Sequence, residues 1–195
     1  MSTKEKLCEA ALELFSQKGF AATSVDEIAE SIGIKGPNLY KYFKGKDALF
    51  DEIATRNELE YDKAMSLSAE ASLDVHTPEQ LKAFSMNQIR YTMPNPRVRK
   101  MRKLCAIEQF RNDQLRTKLT EHEISTPRDQ FTKIFDTMVK EGTMEACDTK
   151  QLAFAYIAPI SLLIMKCDRD PDKFEECLKE AEEYIDFFIA DHFNK

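Results

Sequence analysis

The chain has 195 residues, of which 43% are hydrophobic and 32% charged, with five glycines and seven prolines. This composition is too apolar for a disordered chain and too poor in Gly and Pro for a fibrous one, so it predicts one or two folded domains. The cysteines and histidines are widely spaced, which predicts free thiols in a reducing compartment and no zinc site. Charged residues interleaved with the first apolar positions argue against a signal or transit peptide. We expect a soluble, cytoplasmic protein without metal or cofactor.

The net charge of −6 is distributed unevenly along the chain. Residues 168–195 contain ten acidic and four basic residues, so this C-terminal segment carries the whole excess. Residues 33–46, in contrast, contain four lysines and no acidic residue. A local basic stretch on an acidic protein indicates a polyanionic partner more directly than the net charge does.

Apolar residues recur with a period of 3.6 almost throughout, which predicts an all-α fold of about nine helices. The first predicted helix ends at Gly19, and the second is opened by Ser24 with Glu27, a capping box. A short third helix is expected from about residue 37 to 43, and a longer one from about residue 46. Capping residues and prolines predict the later boundaries at Thr77 with Gln80, Pro94 with Pro96, Thr126 with Pro127, Gly142, Asp148 with Gln151, and Asp170 with Pro171.

Residues 24–43 combine two short helices and a tight turn centred on Gly33, a spacing that suits a helix-turn-helix. One alternative is a helical hairpin that only packs, and a second is a scaffold that uses the motif for protein contacts. The lysine-rich stretch favours DNA binding over both. The predicted domains are residues 1–46, which bind DNA, and residues 47–195, a larger helical body.

The N-terminal sequence resembles the TetR family of transcriptional regulators over about 50 residues. The resemblance lies in residues 10–20, 23–25, 28–29, 33–34, 39–43 and 44–50. It implies a homodimer that binds a palindromic operator as a repressor and is released by a small, largely apolar effector bound in the body. A constitutive DNA binder without an effector remains the alternative.

Transferring roles by position within this resemblance gives a candidate DNA-binding set. The residues expected to contact phosphates are Thr23, Ser24, Tyr40, Tyr42 and Lys46. Those expected to face the bases are Gly36, Pro37, Asn38 and Lys41. Gly36 stands where many family members have a longer polar side chain, so direct readout is expected to depend on Asn38, Lys41 and Pro37. The full set is Thr23, Ser24, Lys35, Gly36, Pro37, Asn38, Tyr40, Lys41, Tyr42, Lys44 and Lys46.

The body offers three further candidate features. The aromatic and polar residues expected at an effector pocket are Phe84, Tyr91, Gln109, Phe110, Phe131, Phe135 and Tyr156. The apolar faces expected at a dimer interface are Phe154, Ile157, Ile160, Leu163, Ile164, Leu178, Tyr184, Ile185, Phe188 and Ile189; one more buried layer of the body is the alternative. A basic cluster at residues 90–103 either lines a pocket for an anion or forms a solvated helix face, and its helical spacing favours the latter.

An enzyme is the rival class of function. The sequence has neither a nucleophile elbow nor a phosphate-binding glycine loop, and no catalytic residues are predicted.

Overall fold

A computed structural model describes residues 1–111 and 113–193, without the side chains of residues 114, 115 and 118. Lys195, counted above in the acidic segment, lies outside the described residues. The described part is all-α and contains no strand, so the predicted fold class is confirmed. Its helices are α1 (Thr3–Lys18), α2 (Val25–Ser31), α3 (Gly36–Leu39), α4 (Lys46–Ser72), α5 (Pro78–Thr92), α6 (Pro96–Glu108), α7 (Asp113–Thr120), α8 (Thr126–Glu141), α9 (Thr149–Arg169) and α10 (Phe174–Phe193).

Local capping residues set several helix ends, as the sequence predicts. The Ser24 side chain accepts a hydrogen bond from the Glu27 amide, and the Glu27 carboxylate accepts one from the Ser24 amide. Thr77 and Gln80 form the same capping box at the start of α5. Gly142 ends α8 with a φ of 77°, a left-handed conformation that glycine adopts without strain.

Two segments differ from their predicted form. The third helix is one turn long, because after Leu39 the Tyr42 amide donates to the Leu39 carbonyl at 2.9 Å in a tighter turn. The backbone before Pro127 stays helical instead of breaking: a π-helical turn, Glu121–Ser125, joins α7 to α8. Pro127 has no N–H to donate to residue 123, and a locally widened helix accommodates the missing bond.

The chain forms two compact units. Unit 1 comprises Met1–Met65 and Lys100–Arg116, and unit 2 comprises Ser66–Arg99 and Thr117–Lys195. The division therefore falls within α4, within α6 and within α7. The predicted boundary at residue 46 lies inside unit 1, because the first half of α4 and the second half of α6 pack with the N-terminal helices.

The core of unit 1 draws on every helix of that unit's N-terminal segment and on α6. Phe15, Phe20 and Phe50 form a ring cluster with centroids 5.2 to 5.9 Å apart. The buried members of this core are Leu7, Cys8, Ala11, Leu12, Phe15, Ile28, Ala29, Leu39, Phe43, Leu49, Ile53, Met101 and Leu104. These contacts fix α2 and α3 from behind and leave their other side exposed.

The core of unit 2 centres on Tyr156 of α9, which is fully buried. Its hydroxyl lies 2.7 Å from the Ser85 hydroxyl, and burial raises the pKa of the phenol well above its ordinary value. Helix α9 is also long and apolar enough, by length and composition, to cross a membrane. The helices of a packed core pass the same test, and Ala153, Tyr156, Ile157 and Ile160 of α9 are buried in this core.

Candidate nucleic-acid interface

The helix-turn-helix is held in unit 1 by its apolar side. Ile28 and Ala29 of α2 and Leu39 of α3 are fully buried, and Phe43 is nearly so. Gly33 makes the turn between the helices with a φ of 77°, and the Ile34 amide donates a hydrogen bond to the Ala29 carbonyl at 3.0 Å. Because both helices are anchored to the same core, the segment between them presents a fixed outer face.

That outer face carries basic and aromatic side chains, and we call it the recognition face. Tyr40 and Tyr42 are 59% and 43% exposed, which is unusual for large aromatic residues. Asn38 is half-buried beside them. The exposed members are Ser24, Lys35, Pro37, Tyr40, Lys41, Tyr42 and Lys44. Positive charge combined with hydroxyl donors suits contact with phosphate oxygens and base edges.

Two residues of the predicted DNA-binding set are buried in the structure. Thr23 is 1% exposed, and its hydroxyl donates to the Gly19 carbonyl at 2.9 Å. Gly36 is buried against α2, where a Cβ atom would lie 1.7 Å from Oδ1 of Asp26. We therefore correct the set by removing the Thr23 side chain and Gly36, which serve packing within unit 1.

Lys46 lies in the structure against the loop between α1 and α2. Its ammonium donates to the Phe20 carbonyl at 2.7 Å and to the Thr23 carbonyl at 2.8 Å. On the other side of this loop, the buried carboxylate of Glu108 accepts a hydrogen bond from the Phe20 amide at 3.0 Å. Sequence reasoning missed Glu108, because nothing local distinguishes it from a solvated glutamate.

The basic cluster at residues 90–103 is distributed between ion pairs and solvent. Lys100 pairs with Glu13 of α1 at 2.5 Å, and its ammonium holds the pKa of that carboxyl below the ordinary value. Within unit 2, Nε of Arg99 lies 3.5 Å from Oδ1 of Asp168. Arg90 and Lys103 are exposed, as expected of a solvated helix face.

The residues predicted for an effector pocket fall into different environments. Phe84, Phe131, Phe135 and Tyr156 pack against one another in unit 2, with ring centroids 4.9 to 6.2 Å apart. Tyr91 and Phe110 are exposed, and Gln109 donates to the carbonyl of Ala106. None of these residues lines the surface cavity of about 170 Å³ formed by Met144, Glu145, Ala146, Cys147, Asp191 and His192.

A polar cluster that the sequence did not indicate lies in unit 2. The Ser68 hydroxyl of α4 accepts hydrogen bonds from Gln88 of α5 at 2.6 Å and from Gln130 of α8 at 2.8 Å. We call these three residues the amide cluster. Within the described residues, no group of three or more His, Cys, Asp or Glu side chains could hold a metal ion.

The residues predicted for a dimer interface mostly face the core of their own chain. Ile157, Ile160, Ile185 and Phe188 are buried there. Leu163, Ile164, Leu178, Tyr184 and Ile189 are partly buried against the same core. Of the predicted set, Phe154 is exposed. Sequence reasoning missed the other large exposed apolar residues of α9 and α10, which are Leu162, Met165 and Phe187.

The sequence model for bacterial regulatory proteins of the tetR family matches residues 7–53, the segment that builds this face. Over this segment the chain is similar to the bacterial regulatory proteins of the TetR family. The HTH-type regulator YttP of Bacillus subtilis is 40% identical over 81 residues, which are 42% of this chain and 39% of YttP. The matched stretch covers less than half of the length of such curated relatives. The family consists of transcriptional regulators, which are not enzymes.

Solved structures extend the similarity of fold to the whole chain. A TetR-family regulator from Mesorhizobium loti has a TM-score of 0.70 at 19% identity, covering 97% of this chain and 96% of its own. SmeT is the repressor of the Stenotrophomonas maltophilia multidrug efflux pump SmeDEF. Its structure has a TM-score of 0.68 at 18% identity, covering 99% of this chain and 91% of the SmeT chain. SmeT is also known in complex with triclosan. At these identities the agreement establishes the fold.

The contact between Gly36 and Asp26 generates a prediction about stability. We expect Gly36→Ala to lower the free energy of unfolding by about 1–2 kcal/mol, because the new methyl group displaces the Asp26 carboxylate. Asp26→Ala removes the obstacle, so the double variant should lose less than the sum of the single variants in urea unfolding.

Gly33→Ala is the matched control for this cycle. A Cβ atom at Gly33 would meet nothing within 4 Å, so its cost arises from the positive φ alone. Asp26→Ala should leave that cost unchanged. Additive losses for Gly36→Ala and Asp26→Ala would show that the carboxylate is not what requires glycine at position 36.

Proposed function

We propose that this protein is a sequence-specific DNA-binding transcriptional regulator that acts as a dimer and responds to a small-molecule effector. The observation that carries the DNA-binding part is the recognition face. Its lysines and tyrosines are exposed while the opposite side of the same two helices is buried. A helix-turn-helix uses this arrangement to place its second helix in the major groove.

Within this proposal the recognition face divides into two roles. Lys35, Tyr40, Tyr42 and Lys44 hold the phosphate backbone, which fixes the register of the protein on the duplex. Asn38, Lys41 and Pro37 face the bases, where an asparagine amide can pair with adenine and a lysine with guanine. A palindromic operator then matches two copies of the face related by a two-fold axis.

Selection of binding sites from random duplexes tests this proposal. We expect the enriched sequence to be palindromic, with half-sites about one helical turn apart, and its binding to weaken steeply with salt. Lys44→Met should lower the slope of log affinity against log salt by about 0.9 per protomer, or about 2 for a dimer. Fluorescence anisotropy at several salt concentrations measures this slope.

Asn38→Ala is the control that separates base contacts from phosphate contacts. It should relax the preference among single-base variants of the selected site and leave the salt slope unchanged. Failure of the wild-type protein to enrich any duplex would contradict the proposed function and favour the scaffold alternative.

For the dimer we propose an interface on the outer faces of α9 and α10. Phe154, Leu162 and Met165 of α9 and Phe187 of α10 are between 44% and 71% exposed, so four large apolar side chains are uncovered in one chain. Exposed apolar surface of this kind marks protein interfaces.

We expect Phe187→Lys to weaken dimerisation at least about 30-fold, because an interface core excludes unpaired charge. Analytical ultracentrifugation across a dilution series measures the dissociation constant. Phe110→Lys, a change at an even more exposed aromatic residue outside α9 and α10, should leave it unchanged. Equal effects of the two substitutions would place the interface elsewhere.

For the effector we propose a small, largely apolar molecule with an uncharged hydrogen-bonding group. SmeT binds such a molecule in its triclosan complex, which supports this class. The amide cluster supplies neutral donors and acceptors next to the aromatic residues Phe84 and Phe131 of the same helices. An effector that bonds to Gln88 and Gln130 competes with Ser68 and thereby frees α4.

Calorimetry with triclosan and an apolar compound library tests the effector. An inducer should bind the operator complex about 5- to 150-fold more weakly than the free protein, and should weaken operator binding by the same factor. Gln88→Leu should reduce its affinity about tenfold, whereas Gln109→Leu, at a side chain bonded to the Ala106 carbonyl of α6, should not. Equal affinity for both states would exclude a compound as an inducer, and a library without hits would favour constitutive binding.

A further inference from the structure

The loop between α1 and α2 is held by two charged side chains that are distant from it in the sequence. This loop, residues 19–23, immediately precedes Ser24, which caps α2. The Phe20 amide donates to Glu108 at the end of α6, and the Phe20 carbonyl accepts from Lys46 at the start of α4. We call these two contacts the Phe20 clamp. All of its members lie in unit 1.

The surroundings of Glu108 are shaped to keep its carboxylate in this position. The side chain belongs to a residue only 6% exposed, and a buried carboxylate is costly unless it accepts hydrogen bonds. Gly19 leaves the necessary space, since a Cβ atom there would lie 2.9 Å from Oε1 of Glu108. Gly19 also has a φ of 85°, which other residues rarely adopt.

Lys46 directs its ammonium toward the loop and not outward. Three carbonyl oxygens surround it: those of Phe20 and Thr23 at 2.7 and 2.8 Å, and that of Ala21 at 3.4 Å. An ammonium has three N–H donors, so these carbonyls match its full capacity. The same ammonium lies 4.4 Å from the centroid of the Phe20 ring, and this cation–π contact further stabilises the position of Lys46 against the loop.

We propose that Glu108 and Lys46 are positioning residues for DNA recognition: by clamping Phe20 they fix the start of α2, and Lys46 acts through this loop rather than through a phosphate contact. This inference rests on the proposed DNA-binding function. It extends the recognition apparatus beyond the family match at residues 7–53 to the end of α6. A helix that begins in unit 2 thus ends on the loop that orients the helix-turn-helix.

Glu108→Ala tests the carboxylate. We expect operator affinity to fall about tenfold, because the loop then samples other conformations and only a fraction of the protein is competent to bind. The salt slope should stay unchanged, since no phosphate contact is lost. Glu108→Gln keeps an oxygen that accepts from the Phe20 amide and should restore affinity to within about twofold of wild type.

Lys46→Met and Lys44→Met form a matched pair that tests whether Lys46 acts through the loop and not through a phosphate contact. Lys44 is exposed on the recognition face, whereas Lys46 is turned to the loop. Both substitutions should weaken binding, but only Lys44→Met should lower the log–log salt slope, by about 2 per dimer. An equal fall in slope for Lys46→Met would make Lys46 a phosphate contact and overturn this part of the proposal.

Hydrogen exchange keeps the test independent of DNA. In Glu108→Ala and Lys46→Met the amides of residues 19–24 should exchange faster, while α1 and α4 stay protected at a temperature where circular dichroism shows full folding. Unchanged exchange in the loop would contradict the proposal that the clamp orders it. Loss of affinity only where the variants unfold would mean that both residues contribute to the overall stability of the fold and do not position the loop. If the wild-type protein selects no duplex, the proposed function fails, and the exchange experiment still decides whether the clamp orders the loop.

Discussion

The arrangement of unit 1 depends on the backbone of Phe20, whose amide and carbonyl groups are both hydrogen-bonded to charged side chains. Its amide bonds to a carboxylate 88 residues away in the sequence, and its carbonyl bonds to an ammonium 26 residues away. Buried backbone groups and buried charges are both costly when unpaired, so each partner requires the other. The loop, the start of α4 and the end of α6 therefore form one structural element, and α2 begins directly after it.

Helix α4 is attached by different forces along its length. In its first two turns Leu49 and Ile53 are buried in the core of unit 1, and none of its residues after Ile53 is buried. Within unit 2 it is held instead through Ser68 by neutral hydrogen bonds, whose net contribution is about 1 kcal/mol each. Burial of a leucine or isoleucine contributes about 1.5–3 kcal/mol. The weaker attachment therefore lies at Ser68, next to the site that we propose for an effector.

The sequence predicts what is determined locally and leaves open what depends on distant partners. The capping boxes at Ser24 and Thr77 and the glycine end of α8 follow from residues within a few positions of each other. The roles of Gly36 and Glu108 depend on contacts with other helices, which no local pattern encodes. Periodicity likewise identified the apolar sides of α9 and α10, but not that Ile185 and Phe188 face their own core.

The acidic C-terminal segment and the basic recognition face coexist because their charges act over short distances. Lys166 of α9 lies 2.7 Å from both Glu176 and Glu180, and Lys82 of α5 pairs with Glu182 and Asp186 at 3.1 and 2.7 Å. Two lysines of neighbouring helices therefore offset part of the acidity of α10 within unit 2. At physiological salt, exposed charges are screened beyond about 8 Å. In the proposed function, lysines on the recognition face therefore act on a phosphate by contact, so their local charge matters more than the net charge of −6.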